Sequence, residues 1–275
     1  MLAKLPGRVS VEENVKFGTA GKRDLRCDVF VPPDERTART AILLLHGGGW
    51  QNGDRSQLRG YGIQLARYGF LCVCPEYRLS GESKWPAQLH DVKAALRWVR
   101  AHAASLGVDP QKIAVSGNSA GAHLALMLGA TPNVPVFDGK GGNADTSSEC
   151  AAVVAIYPPT LLRIGAIGDA VANLFRGKAS QEAQDAASPI TYVHRHFPPT
   201  LLIHGNADDI VPVDASFAMY KSLAEAGASV ELHVYDGAPH AFDALPEFGR
   251  QLVDIMALFI DRKVTHPRAV ELPGA

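Results

Sequence analysis

Six continuous apolar runs separated by helix-patterned or loop segments constrain this chain more than any other feature. They lie at Ala41–Leu45, Phe70–Cys74, Ile113–Val115, Ala151–Ile156, Thr200–Ile203 and Val230–Tyr235. Runs without polar alternation suit strands buried on both faces, and such strands need helices on each side. Helical patterns fall between them. Residues 87–104 place Leu89, Val92, Leu96 and Val99 on one stripe behind Pro86, a residue suited to a first helical turn. Residues 119–128 are small and apolar all round, 213–226 stop at Gly227, and 243–261 form the last helical pattern. Upstream, Val9–Phe17 and Leu25–Val31 alternate as an opening antiparallel pair that turns near Gly21-Lys22. The expectation is an α/β fold of one domain over 1–275, with a mostly parallel central sheet flanked by helices on both faces.

Two stretches interrupt the alternation. Thr131–Glu149, rich in glycine, asparagine and serine, reads as an irregular loop. Residues 158–199 hold short helical pieces around Leu161–Phe175 and Ser180–Ala187. Insertions of this length between strands tend to be lids or binding loops, so this one is expected to cover the site. The tail from Val264 reads as loose.

The chemistry centres on Gly117-Asn118-Ser119-Ala120-Gly121, which follows the run Ile113–Val115 and opens a helical pattern. That is the context of a nucleophile elbow, a turn too sharp for side chains two positions either side of the serine. With 26 glycines and 14 serines, a chance G-x-S-x-G is expected about 0.1 times per chain. The rarer signal is His46-Gly47-Gly48-Gly49-Trp50 after Ala41–Leu45, with a chance expectation of about 0.01 for H-G-G-G. Bare glycine N–H groups there can approach a substrate oxygen, so Gly48, Gly49 and Ala120 are the candidate oxyanion hole. Acid and base should follow the serine in that order. Thr200–Ile203 runs into His204-Gly205-Asn206-Ala207-Asp208-Asp209, leaving either aspartate as the acid. The next run ends at Gly237-Ala238-Pro239-His240, the candidate base. Both loops leave the carboxyl ends of strands, where open α/β sheets assemble their sites. Trp50, Trp85, Leu174 and Phe175 are candidate pocket residues by position alone.

Other chemistries lack their residues. There is no H-E-x-x-H, no Walker loop and no zinc-type cysteine set, so neither metal nor cofactor is expected. Gly139–Ala144 matches a G-x-G-x-x-A fingerprint but follows no strand and opens no helix, and reads as an exposed loop. Cys27, Cys72, Cys74 and Cys150 lie in or beside apolar runs and read as buried thiols. Twenty-seven basic against 28 acidic residues give no reason to expect nucleic acid or an anionic membrane, and favour a small, largely uncharged ligand. No apolar run is long enough for a membrane span and the N-terminus lacks a secretion signal, so cytoplasmic residence is the default expectation. A homo-oligomer is left open.

His46–Trp50, Glu76-Tyr77-Arg78-Leu79, the 86–98 segment, Gly117–Gly121, His204–Pro212 and Gly237–Phe242 together resemble the hormone-sensitive-lipase-like carboxylesterases of the α/β-hydrolase superfamily. The likeness is nearer to their short acetyl- and feruloyl-esterase relatives, and spans about residues 25–260. It implies Asp208 as the acid, through H-G-x-x-D-x-x-V-P, and structural roles for Arg78 and Asp91. About 45 residues precede the glycine loop, so the long N-terminal cap of many relatives is not expected. Asn118 stands where many relatives have aspartate, and Tyr157-Pro158-Pro159-Thr160 replaces a glycine-bearing turn. The expected activity is hydrolysis of small esters of short acyl, acetyl or feruloyl type through an acyl-enzyme. The alternatives are a kynurenine-formamidase-like amide hydrolase, which shares H-G-G-x-W, and a non-catalytic ligand-binding relative.

Overall fold

The apolar run 41–45 sends its side chains alternately to two cores: Ala41, Leu43 and Leu45 to one, Ile42 and Leu44 to the other. That split needs helices on both faces. The computed structural model, which describes residues 3–34, 39–163 and 167–270, places them there. Its strands are β1 (Ser10–Ala20), β2 (Arg23–Val31), β3 (Arg39–Leu45), β4 (Leu71–Pro75), β5 (Val108–Asn118), β6 (Ala152–Ile156), β7 (Thr200–Gly205) and β8 (Val230–Tyr235). They form one sheet in the order β1-β2-β4-β3-β5-β6-β7-β8. β1 and β2 are antiparallel, β2 meets β4 antiparallel, and every later pairing is parallel.

Helices α1 (Arg59–Ala66) and α7 (Pro246–Ile260) cover one face; α2 (Ala87–Ala101), α3 (Ala120–Ala130) and α6 (Asp214–Glu225) cover the other. Leu89, Val92 and Leu96 of α2 are fully buried, each stabilising the fold by about 1.5–3 kcal/mol. The parallel registers set Leu45 beside Gly117, Asn118 beside Ile156, and Gly205 beside Tyr235. The loops after β3, β5, β6, β7 and β8 therefore emerge at one edge of the sheet. Between β6 and β7 lie α4 (Gly168–Phe175), α5 (Gln181–Ala186) and a 3₁₀ turn at Pro189–Tyr192. α4 is shorter than the helical piece expected over 161–175, part of which (164–166) lies outside the described residues.

Several expectations need correction. β8 is not a central strand but the sheet edge, half-buried along most of its length. Helix α1 had no sequence signature, because Arg59-Gly60-Tyr61-Gly62 carries no apolar stripe. It packs because Gly62 lies against Phe30, whose ring would sit 2.7 Å from an added Cβ. The final helical pattern divides into a 3₁₀ turn at Phe242–Ala244 and α7, which starts at Pro246. The tail is held from Val264 to Arg268: Val264 is buried, Thr265 hydrogen-bonds Thr40 through their hydroxyls, and Arg268 pairs with Asp261, while 271–275 lie outside the described residues. The Gly139–Ala144 segment is not free in solvent, since Gly141 is buried and its carbonyl accepts from the Thr19 N–H. Lys93 and Arg97 of α2 hold this irregular stretch through the carbonyls of Thr131, Asp138 and Gly142. Arg78 and Asp91 form the bidentate pair expected of a structural brace.

Candidate active site

Ser119 sits between β5 and α3 at φ 52°, ψ −119°, a backbone region that costs a non-glycine residue about 1–3 kcal/mol. The surroundings enforce it. Its N–H donates to the Ile156 carbonyl at 2.9 Å. A Cβ on Gly121 would lie 2.0 Å from the Leu45 carbonyl oxygen, and one on Gly117 would lie 2.4 Å from the Gly121 carbonyl carbon. Glycine at both positions lets β3, β5 and α3 meet in backbone contact.

The glycine loop lies directly alongside. Gly48 (φ 108°) and Gly49 (φ 60°) occupy the left-handed region, and the Gly48 carbonyl accepts from the N–H groups of Gln51 and Asn52. His46 braces the loop: its Nδ1–H donates to the Gly47 carbonyl at 2.8 Å, and its ring stacks on Tyr77 at 4.2 Å. Burial lowers the His46 pKa, although the Gly47 hydrogen bond opposes this. Among the described residues, the N–H groups of Gly48, Gly49 and Ala120 donate to no protein acceptor. All three residues line the cavity that contains Ser119.

His240, after β8, reaches Ser119 and Asp208 together. Its Nε2 accepts from the Ser119 hydroxyl at 3.0 Å, and its Nδ1–H donates to Asp208 Oδ2 at 2.6 Å. Asp208 Oδ1 accepts from the backbone N–H groups of Ile210 and Val211 at 3.0 and 2.8 Å. Burial alone would raise the Asp208 pKa, but hydrogen bonds from His204, His240 and Val211 outweigh it and hold the carboxyl well below its usual range. Asp209 is exposed and makes no hydrogen bond with His240. His204 donates from Nε2 to the Val211 carbonyl at 2.8 Å, lies 3.3 Å from Asp208 Oδ2, and accepts from Ser216 at Nδ1. The ring tautomers follow from these partners.

The cavity holds about 760 Å³, room for a small organic ligand. Pro159, Ile167, Ala170, Ile210 and Val211 form an apolar side, so the 158–199 segment supplies part of the wall. Trp50 lines the cavity, almost wholly buried and edge-on to His123. Trp85, Leu174 and Phe175 do not line it. Trp85 packs between His123 and Phe137, Leu174 is fully buried, and Phe175 packs on the core. Their apolar character reports core packing, and sequence position could not separate that from pocket lining.

A second set of residues had no sequence signal. The Tyr157 ring lies 4.6 Å from the His240 ring, with the Tyr157 backbone at φ 40°. Its hydroxyl donates to Asp243 and accepts from Asn118 Nδ2, while Tyr61 donates to the other Asp243 oxygen. Elbow, β6 turn, histidine loop and α1 are thereby joined by one hydrogen-bonded chain. No helix among the described residues is long and apolar enough to cross a membrane.

The family described as BD-FAE matches residues 27–223. Esterase LipQ of Mycobacterium tuberculosis is 34% identical over 84% of this chain and 57% of its own length. The chain thus spans little more than half the length of LipQ, and of the probable carboxylic ester hydrolase LipM of the same organism. Thermogutta terrifontis esterase 2 in its apo form superposes with TM-score 0.81 at 29% identity, covering 98% of both chains. That protein has also been solved phosphorylated by paraoxon and with propionate bound. A truncated carbohydrate esterase from gut microbiota superposes with TM-score 0.81 at 26% identity over 94% of this chain and 99% of its own. The chain has an α/β-hydrolase fold, and it belongs to the BD-FAE family.

Proposed function

We propose that the chain is a serine carboxylesterase of small esters, working by two-step acyl transfer. The observation that carries this reading is the continuous relay from Asp208 through His240 to Ser119, at 2.6 and 3.0 Å. His240 Nε2 takes the Ser119 proton as Oγ attacks the ester carbonyl. The developing oxyanion sits against the N–H groups of Gly48, Gly49 and Ala120, at the start of α3, where fixed donors need no reorganisation. His240 then protonates the leaving alkoxide, and a water activated by the same imidazole hydrolyses the acyl-Ser119 ester. Asp208 holds Nδ1 protonated and stabilises the imidazolium. The kinship with esterase 2, which binds propionate and reacts with paraoxon, favours a short acyl arm and a phosphorylatable serine.

The test is Ser119→Ala, assayed on a series of short 4-nitrophenyl esters beside N-formylkynurenine. The variant should lose about 10⁴-fold in kcat with an unchanged melting curve, and should take no fluorophosphonate label. Ester turnover retained in pure variant would overturn the nucleophile, and a preference for N-formylkynurenine would replace ester with amide hydrolysis. Wild-type protein that neither labels nor turns over would be a ligand-binding relative.

A further inference from the structure

One lobe of the cavity is lined in an unusual way. Two neighbouring helices face it, and a seam between adjacent helices is ordinarily apolar at positions three, four and seven apart. On the α1 side those positions are Gln57, Gly60, Tyr61 and Gln64; on α7 they are Pro246, Gly249, Arg250 and Val253. Gly60 leaves the lobe open, since an added Cβ there would meet nothing within 4 Å, whereas one on Gly249 would lie 2.8 Å from the Asp243 carbonyl oxygen. Among the described residues, the side chains of Gln57, Gln64 and Arg250 have no hydrogen-bond or ion-pair partner. Arg250 is, among the described residues, the only arginine or lysine lining the cavity. Among the described residues the cavity's one carboxylate is Asp243, whose two oxygens each accept from a hydroxyl, of Tyr61 and of Tyr157. The lobe therefore carries one uncommitted guanidinium and two uncommitted amides, while its carboxylate is already engaged by two hydroxyls.

We propose that this α1/α7 lobe reads a carboxylate on the substrate, so that preferred esters carry an acid group on one arm. Arg250 supplies the planar two-donor fork that matches a carboxylate, and Gln57 and Gln64 supply further N–H donors around it. This rests on the esterase reading of the neighbouring Ser119 site. It also revises the uncharged ligand suggested by the near-zero net charge, because total charge is silent about a single lining residue.

The test compares matched pairs in which only the distal group changes: mono-4-nitrophenyl glutarate against 4-nitrophenyl pentanoate for the acyl arm, and 4-acetoxybenzoate against 4-acetoxybenzamide for the alcohol arm. In one pair the acid should be preferred by about 10-fold or more in kcat/KM, mostly through KM. The preference should shrink in 0.5 M salt as the charge is screened. Arg250→Gln should bring the pair within about twofold and Arg250→Glu should invert it, with Arg250→Lys in between. An acid and its neutral partner used equally by the wild type in both pairs, or a preference that survives Arg250→Glu, overturns the proposal. If none of the four esters is hydrolysed, the esterase reading fails on its own account. Calorimetric titration of the same protein with monomethyl glutarate then decides the lobe: binding abolished by Arg250→Glu keeps it, and no binding removes it.

Discussion

Gly121→Ala puts the backbone junction at the centre of the site under direct test. The added Cβ would lie 2.0 Å from the Leu45 oxygen and 2.6 Å from the His46 oxygen. Both are main-chain atoms, so no side-chain rotation can relieve the contact. Restoring an ordinary separation of 3.4 Å at the first requires the end of β3 and the start of α3 to part by about 1.4 Å. Overpacking of this kind costs about 1–3 kcal/mol, and rigid backbone on both sides places it at the upper end. For a chain of this length that corresponds to a fall of roughly 4–10 °C in melting temperature. The effect on turnover should be larger. The same displacement carries the Ala120 N–H away from those of Gly48 and Gly49, the proposed oxyanion hole, and loss of one oxyanion-hole donor costs about 10²–10³-fold in kcat. Thermal melts and turnover of 4-nitrophenyl acetate would be measured beside Gly168→Ala, where an added Cβ meets nothing within 4 Å and stability should hold or rise slightly. Wild-type kcat and melting temperature in Gly121→Ala would refute the argument that close backbone approach defines the site.

Asp208→Asn should lower kcat by about 10³–10⁴-fold, because an amide no longer dictates the His240 tautomer. Asp209→Asn, at an exposed neighbour, should stay near wild type; equal losses in the two variants would remove Asp208 as the orienting acid. His123 tests stability against pH. Burial depresses its pKa to about 4 against an ordinary 6.5, partly offset by its hydrogen bond to Ala187. Between those values the unfolded chain binds a proton that the folded chain refuses, so the contribution is complete above pH 6.5 and is lost as pH falls toward 4, by up to a few kcal/mol. Urea unfolding at pH 7 and pH 5 should show a greater loss for wild type than for His123→Gln, and equal losses would count against it.

The central strands, the antiparallel opening pair, the elbow and the glycine loop were all legible from residue order. Each is specified locally: unbroken apolar runs need cover on two faces, and glycines bracketing a serine after a strand announce a turn that other residues cannot make. His240 was legible too, because a histidine on the loop after β8 has few other places to reach. The choice between Asp208 and Asp209 was not local. Neighbours in one loop differ only in which side chain turns toward the Ile210 and Val211 amides, and the return path of the chain decides that. Trp85, Leu174 and Phe175 were misplaced for a related reason, since an apolar side chain looks the same in sequence whether it meets a cavity or a core.

The residues that had no signature share one property: their role exists only between segments distant in the chain. Gly62 allows α1 to lie on Phe30, Tyr157 rests on His240, and Asp243 joins Tyr61 to Tyr157 across 182 and 86 positions. Arg250 faces the cavity only because α7 runs beside α1. The sequence alone determined the sheet, the sharp turns and the chemical types gathered at its edge, because periodicity and backbone sterics act over a few residues. Tertiary structure alone decided which carboxylate meets the histidine and what the rest of the cavity presents to a ligand, because those depend on contacts between elements that local sequence does not encode.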